Sequence, residues 1–514
     1  MAPQYYKNQL EPLTLTEETL HQALSELRQA VKRATAIIKI NVPEPLPEDR
    51  NAFGTIYNGA LGVALMFLRL EEQASYLADE DETTPLASEF HEMACSRINQ
   101  SVPEAAHLRA GRLSPLGSAT LGASVLRTLA VVAGSSSPRA SSLSIEILQN
   151  ATEFAIKQGT VLGGDEALYG RAGLLWALLQ IRQRCTDEIY TAALIPVFSM
   201  IPRLVSIIIE TGKVGASDYK NLYGGQDILP LMWLWHDKYY LGAIHGIAGI
   251  LSIILACKPD ELDDGTINHL PIIAETISEL CKLTIENAGN LPSSLPIRSP
   301  LCREPYVQIC HGSPGLLILL AQARNNINLM RSFWEPDWEK AIRLASEQVW
   351  ERGILFKGGG LCHGVAGNAW PFLLLYDSFE YGKEHSTLAK LAFKDRAGSG
   401  ALEEDEELTP DYFLSRALAL LLYAQKTPPF HRRESRGDLE FRMPDTPYSL
   451  FEGLAGICTA WGEACVVIKA RLRKKNLDEE RSDAPFEKRE RDELLSVHLG
   501  HELGFPGLTL GGLR

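Results

Sequence analysis

Gly358-Gly-Gly-Leu-Cys362-His363-Gly364-Val-Ala-Gly367-Asn-Ala-Trp370 is the stretch on which the reading of this chain turns. About 50 residues upstream stands its partner, Cys310-His311-Gly312-Ser-Pro-Gly315. Each sets a cysteine beside a histidine and follows them with a glycine pair that opens an apolar run, Leu316–Leu320 or Pro371–Leu375. Thiolate and neutral imidazole are the commonest zinc ligands. Neighbouring residues on one helix point about 100° apart, so Cys362 and His363 share an ion only in a turn that enters a helix. The flanking glycines permit such a turn, with positive φ where it is needed. A single Cys-His pair is usually a small apolar residue beside a structural imidazole. Repetition of the whole Cys-His-Gly-x-x-Gly unit favours a metal.

The glycine pair recurs without the cysteine. Tyr57-Asn-Gly59-Ala-Leu-Gly62 precedes Val63–Leu68, Tyr169-Gly170-Arg-Ala-Gly173 precedes Leu174–Leu179, His245-Gly246-Ile-Ala-Gly249 precedes Ile250–Leu255, and Glu452-Gly453-Leu-Ala-Gly456 precedes Ile457–Trp461. A degenerate copy lies at Leu116-Gly117-Ser-Ala-Thr120. Between these units lie further helical patterns at 189–209, 272–286, 338–351 and 412–424, and no alternation strong enough for a strand. Internal repeats of this kind predict an all-α array of helix pairs. The helix after each glycine pair is almost wholly apolar, so it belongs inside a second layer. The expectation is a closed α/α toroid with the Gly-x-x-Gly turns gathered at one end, where Tyr57, Tyr169, His245, Cys310, Cys362, His363 and Glu452 would meet.

Around this array, residues 15–40 read as an amphipathic helix started by Thr16-Glu-Glu-Thr and broken by Pro43, Pro45 and Pro47. The division expected is an N-terminal helix and Pro-rich entry segment over 1–48, the toroid over 49–470, and a charged, partly disordered tail over 471–514. Glu403-Glu-Asp-Glu-Glu407 reads as a solvated acidic loop. A net charge of -14 with 45% hydrophobic and 22% charged residues excludes the basic footprint of a nucleic-acid binder. The opening Met-Ala-Pro-Gln-Tyr-Tyr-Lys lacks the apolar core of a signal peptide, and no uninterrupted apolar run reaches spanning length, so no integral membrane segment is expected. Nine cysteines without a small-scaffold pattern read as reduced thiols. The expected location is cytoplasmic, with nuclear or peripheral plasma-membrane association left open.

These units resemble the lanthionine synthetase C-like family, the bacterial lantibiotic cyclases and their eukaryotic LanC-like relatives. The likeness rests on His245-Gly-Ile-Ala-Gly249, Cys310-His-Gly-Ser-Pro-Gly315 and Leu361-Cys-His-Gly-Val-Ala-Gly-Asn-Ala369. Leu168-Tyr-Gly-Arg-Ala-Gly173, Pro230-Leu-Met-Trp leading to Tyr240-Leu-Gly-Ala-Ile-His245, and Pro444-Asp-Thr-Pro-Tyr-Ser-Leu-Phe-Glu-Gly453 fit the eukaryotic branch. The likeness runs from about residue 50 to about 465. It implies seven helix pairs and one zinc ion held by Cys310, Cys362 and His363, with His245 as the catalytic histidine and Lys357 in the Lys-Gly-x-Gly-Leu-Cys-His stretch. It also implies glutathione as ligand or co-substrate. The implied activity is addition of glutathione thiol to dehydroalanine or dehydrobutyrine in proteins, after phosphate elimination from phosphoserine or phosphothreonine. Protein or peptide substrates, among them kinases with dehydrated phosphosites, are the implied partners.

The residue types suit that chemistry. Three protein ligands with one open position mark a catalytic rather than a structural zinc. A coordinated thiol is deprotonated outright, and the thiolate is the nucleophile. His245 has the proton-transfer range to protonate the α-carbon or to remove its proton. Lys357 or Arg171 could neutralise the phosphate or enolate, although Arg171 could equally pair with Asp165 or Glu166. Lys357, Arg171, Asp445 and Glu452 are candidates for a glutathione pocket. His311 reads as structural, and Tyr57 and Tyr169 as core residues. The competing reading is a non-catalytic zinc- and glutathione-binding adaptor or redox regulator. Prenyltransferase chemistry would want an aspartate ligand, and glycosidase chemistry a carboxylate pair without zinc.

Overall fold

In the computed structural model, the described residues are 4–44, 53–78, 80–98, 107–132, 138–185, 188–297, 305–397, 408–431, 439–480, 502–503 and 509–510. The acidic loop at 403–407 and the tail beyond 480, apart from two short strands, lie outside them.

Chain order begins with a cap. Thr16 accepts from the Thr19 backbone while the Thr19 side chain returns the bond, a reciprocal capping box that starts α1 (Glu17–Asn41). Its period puts Leu20, Leu24, Leu27, Val31, Ala34 and Ile38 on one buried face. Among the described residues, thirteen of the helices that follow alternate as inner and outer members, with shorter or peripheral helices between them. The thirteen are α2 (Ala60–Glu72), α3 (Glu80–Cys95), α4 (Ala119–Val132), α5 (Pro138–Lys157), α6 (Arg171–Arg184), α7 (Ile201–Tyr223) and α8 (Ile247–Ile254). Then come α9 (Leu270–Glu286), α10 (Ser313–Asn325), α11 (Pro336–Arg352), α12 (Val365–Glu380), α13 (Pro410–Ala424) and α14 (Leu454–Glu480).

The even-numbered helices form the inner layer. Each packs on the next, and α14 packs back on α2, which closes the ring. The odd-numbered helices wrap it: α3 on α2, α5 on α4, α7 on α6, α11 on α10 and α13 on α12, while α9 lies along α11 and touches α10. The seventh pair is made from the two ends of the chain, because α1 lies on α14. The helix assigned to an entry segment in the sequence thus supplies an outer member of the ring. Inner helices are buried around their whole circumference, with Trp176, Trp370 and Trp461 inaccessible, which is why they carry no polar face.

The glycine pairs have a packing cause. In each clear unit a Cβ on the second glycine would land on the carbonyl oxygen six residues upstream: Ile56 for Gly62, Ala167 for Gly173, Ala243 for Gly249, Ile309 for Gly315, Leu361 for Gly367 and Leu450 for Gly456. In the doubtful unit the role passes to Gly122, whose Cβ would meet the Pro115 oxygen at 2.9 Å, not to the Thr120 position. Around the two Cys-His pairs, only Gly312 (φ 117°) and Gly358 (φ 98°) use the left-handed backbone.

Helix α14 continues to Glu480, past the start of the expected tail, because Arg471 and Lys474 pair with Glu380 and Arg471 also with Asp411. The stretch Thr191–Tyr223 has the length and mean hydropathy of a membrane span, but half of it is buried in the ring, where Leu204, Val205 and Ile208 are inaccessible. Short strands do occur. β1 (Tyr5–Tyr6) pairs with a strand at Ile354–Leu355. A hairpin of Leu234–Trp235 and Lys238–Tyr240, turned through His236 and Asp237 at positive φ, pairs onward with Ser294–Leu295. A lone pair of residues in a strand leaves no periodic trace in sequence.

Candidate metal and thiol site

The site is built from two positions in the repeated turn. The residue just ahead of each first glycine is Asn58, Tyr169, His245, His311, His363 or Glu452; the one before that is Tyr57, Leu168, Ile244, Cys310, Cys362 or Phe451. Ring closure brings these positions to one end. Cys310 and Cys362 come from the turns ahead of adjacent inner helices, α10 and α12, and the Cys310 N–H donates to the Cys362 carbonyl at 3.4 Å. The Cys362 N–H in turn donates to the Phe451 carbonyl at 2.7 Å, which ties in the turn ahead of α14.

The donor atoms of Cys310, Cys362 and His363 all lie within 4.8 Å of one another. Tetrahedral coordination with metal–sulfur bonds of ~2.3 Å separates two sulfurs by ~3.8 Å, so the set can close on an ion with small side-chain movement. Both cysteines are buried and His363 is half-buried. The Cys310 hydrogen bond and burial push the Cys362 thiol well up, while His363 pulls the other way. A buried Cys362 thiol held protonated beside a second sulfur needs a cation to become a thiolate, and the donor set therefore fits a metal. Gln308 accepts from the Cys310 thiol at 3.4 Å.

Tyr57, read from sequence as core, stands against these sulfurs. Burial raises its phenol well above the usual range, and Cys362, Cys310 and Glu452 add to the effect. Its ring stacks on Phe451 with centroids 4.9 Å apart. Glu452 is thereby part of the site; it also accepts a bond from the Thr446 hydroxyl.

His245 faces the same space with Nδ1 2.9 Å from Glu166 Oε2. Glu166 is buried, and its carboxylate also accepts the backbone N–H groups of Leu168 and Tyr169. An ionised carboxylate only accepts, so the proton sits on Nδ1 and Nε2 keeps its lone pair. Tyr169, Tyr240 and His311 surround the imidazole with ring centroids 6.4, 5.9 and 6.4 Å away. His311 is pushed down to about 4 by burial, then by the charges of His245, Lys357, Lys238 and His363, and is neutral at pH 7. Its Nδ1 is buried without a hydrogen-bond partner. Lys357 is half-buried and forms no ion pair among the described residues.

Two candidates are placed otherwise than the sequence suggested. Arg171 is fully buried. Its guanidinium binds both Asp165 oxygens at 2.5 and 3.1 Å, the Gly159 carbonyl at 2.7 Å and the Thr211 hydroxyl at 2.9 Å. It is an internal strut with Asp165, not a cation facing a substrate. Asp445 is 73% exposed and paired with Arg442 at 2.5 Å, on the segment whose Arg442 N–H donates to Phe356 beside Lys357. It stands at the rim.

Sequence reading missed the partnership of Glu166 with His245. A signal was present: the residue four ahead of each first glycine is polar in several turns, as Thr55, Glu166, Gln308 and Ser449, and each folds its side chain back into its turn or its neighbour's.

A closed α/α ring with a cysteine–cysteine–histidine donor set at its glycine turns defines a LanC-type protein. A model of the lanthionine synthetase C-like protein family matches residues 53–396, and the chain belongs to that family. A zebrafish (Danio rerio) protein described as glutathione S-transferase LANCL1 is 30% identical over 302 residues, and the match spans 59% of each chain. The Arabidopsis thaliana LanC-like protein GCL1 is 29% identical over 412 residues, 79% of this chain and 77% of that one.

Proposed function

We propose that this protein binds one zinc ion through Cys310, Cys362 and His363 and uses glutathione as a thiol donor to dehydroalanine or dehydrobutyrine residues in proteins. Phosphate elimination from phosphoserine or phosphothreonine is the step that would supply those residues. The observation that carries the reading is the convergence of three donor atoms within 4.8 Å of one another in the end of the ring that also holds His245. The glutathione part draws on the name of the zebrafish relative. Bound by these residues, zinc would supply the positive charge that favours the thiolate form of an incoming thiol.

The chain's own groups do the rest. Glu166 keeps the proton on His245 Nδ1, so Nε2 is the base: during addition it takes the proton of the incoming thiol and hands it to the substrate α-carbon, and during elimination it takes the α-proton. Lys357, with no ion-pair partner among the described residues, offers a cation for a substrate carboxylate, phosphate or enolate oxygen. His311, neutral and half-buried, lines the wall between. Tyr57 and Glu452 hold the floor beside the cysteines.

The test is zinc content together with adduct mass on a dehydroalanine peptide supplied with glutathione, comparing wild type with Cys362→Ala. One zinc per chain with adduct formation, both lost in the variant, supports the reading. Zinc with glutathione binding but no adduct would instead favour a non-catalytic binding protein. Absence of zinc from freshly purified protein would overturn the site.

A further inference from the structure

Away from the glycine turns, α2 and α3 bring together three matched side chains. His91 and Cys95 lie one turn apart on α3, with Cys95 Sγ 3.4 Å from His91 Nε2. His91 Nδ1 sits 3.0 and 2.9 Å from the two carboxylate oxygens of Glu71, which belongs to α2. A ring nitrogen that faces both oxygens of a carboxylate carries the proton, so Nε2 is the nitrogen that accepts one from the thiol. Nucleophile, base and orienting acid therefore stand in the relation of a cysteine–histidine–carboxylate triad. Cys95 ends α3, where the helix dipole favours an imidazolium and opposes a thiolate, so activation of the thiol rests on His91 and Glu71. Glu71 lies ~16 Å along α2 from the turn at Ala60, which separates this cluster from the metal-donor end.

The other cysteines sharpen the contrast. Cys257, Cys281, Cys458 and Cys465 are fully buried, and burial pushes their thiols up. Cys185, half-buried like Cys95, faces the Thr191 hydroxyl at 3.4 Å.

We infer that Glu71, His91 and Cys95 form a reactive thiol site that takes a low-molecular-weight disulfide and becomes a mixed disulfide with it. His91 Nε2 accepts the Cys95 proton, and the thiolate attacks one sulfur of the disulfide. The Cys95 S–S bond forms as the original S–S bond breaks. The departing half leaves as a thiolate and takes the proton from Nε2. One thiol and one disulfide give one mixed disulfide and one thiol, and no further oxidant is consumed. Glu71 touches neither sulfur and is a positioning residue.

The experiment exposes the full-length protein to glutathione disulfide at pH 7 and follows the peptides that hold Cys95 and Cys185 by mass. Cys95 is expected to react roughly tenfold or more faster than Cys185. His91→Gln is expected to bring Cys95 down to the Cys185 rate, and Glu71→Gln to shift the pH–rate midpoint. Equal rates for Cys95 and Cys185 in the wild type, or an unchanged rate in a folded His91→Gln protein, overturn the proposal. If His91→Gln does not fold, iodoacetamide alkylation of wild-type Cys95 against pH decides. A midpoint well below ~8.5, the free-cysteine value, supports the site, and one at or above it overturns it.

Discussion

Glu166 and His245 are 79 residues apart in the chain and 2.9 Å apart in the fold. The buried carboxylate is itself fixed by two backbone N–H groups, so it sets the tautomer of the imidazole, not the reverse. Glu166→Gln presents an amide N–H or an uncharged oxygen to Nδ1 and weakens that control. The expected outcome is a fall of roughly ten- to a hundredfold in adduct formation, with metal content unchanged. The rate-versus-pH profile of the variant checks it, because a merely structural role would leave the profile's shape alone.

The donor set and the acid/base residue should separate cleanly. Cys310→Ala and His363→Ala are each expected to lose the metal, whereas His245→Ala should keep it and lose roughly 10²- to 10⁴-fold in rate. Chelation of the wild type should lower the melting temperature, since a ligand present at 100 times its Kd stabilises the folded state by about 2.7 kcal/mol. Elemental analysis and thermal melts of the same samples read both effects.

Arg171 and Asp165 make a buried pair whose burial pushes the Asp165 carboxyl up while Arg171 pulls it down. Such a pair adds little net stability, yet removing one member strands a charge at a cost of about 3–5 kcal/mol. Arg171→Met alone should therefore destabilise strongly, and Arg171→Met combined with Asp165→Leu should recover most of the loss. Denaturant midpoints of the two single variants and the double variant measure the coupling. Loss of adduct formation in a fully stable Arg171→Met protein would contradict the strut assignment.

The repeat makes its own prediction. A Cβ on Gly249 would run into the Ala243 carbonyl, whereas one on Gly225 meets nothing within 4 Å. Gly249→Ala should cost about 1–3 kcal/mol or more from forced overpacking. Gly225→Ala should be close to neutral, and thermal melts of the pair test the cause assigned to the glycine turns.

What was legible in the sequence was local. The second glycine of each clear turn is fixed by a carbonyl six residues away, so six turns and their apolar inner helices could be read directly, whereas the number seven came from the family resemblance. The repeated Cys-His unit pointed to a metal at these turns, but the choice of Cys310, Cys362 and His363 over His311 came from the family resemblance, and the fold brings those three donors together. What was not legible depends on contacts between distant turns. Arg171 sits beside both Asp165 and Glu166 in sequence, and only the fold shows that it takes Asp165 and leaves Glu166 to His245. Tyr57 reads as core until ring closure sets the turn ahead of α2 beside the one ahead of α12. The doubtful unit misled by a shift of register, since its crowding falls on Gly122.

The pairing of α1 with α14 has a consequence for biosynthesis. Helix α1 waits for a partner whose first residue is Leu454, and at ribosomal rates of 5–20 residues per second that wait is roughly 20–80 s. Throughout it the stripe of Leu20, Leu24, Leu27, Val31 and Ile38 lacks the inner helix it packs on. The nascent chain thus carries an adhesive edge until that last inner helix emerges, a standing invitation to holdase chaperones.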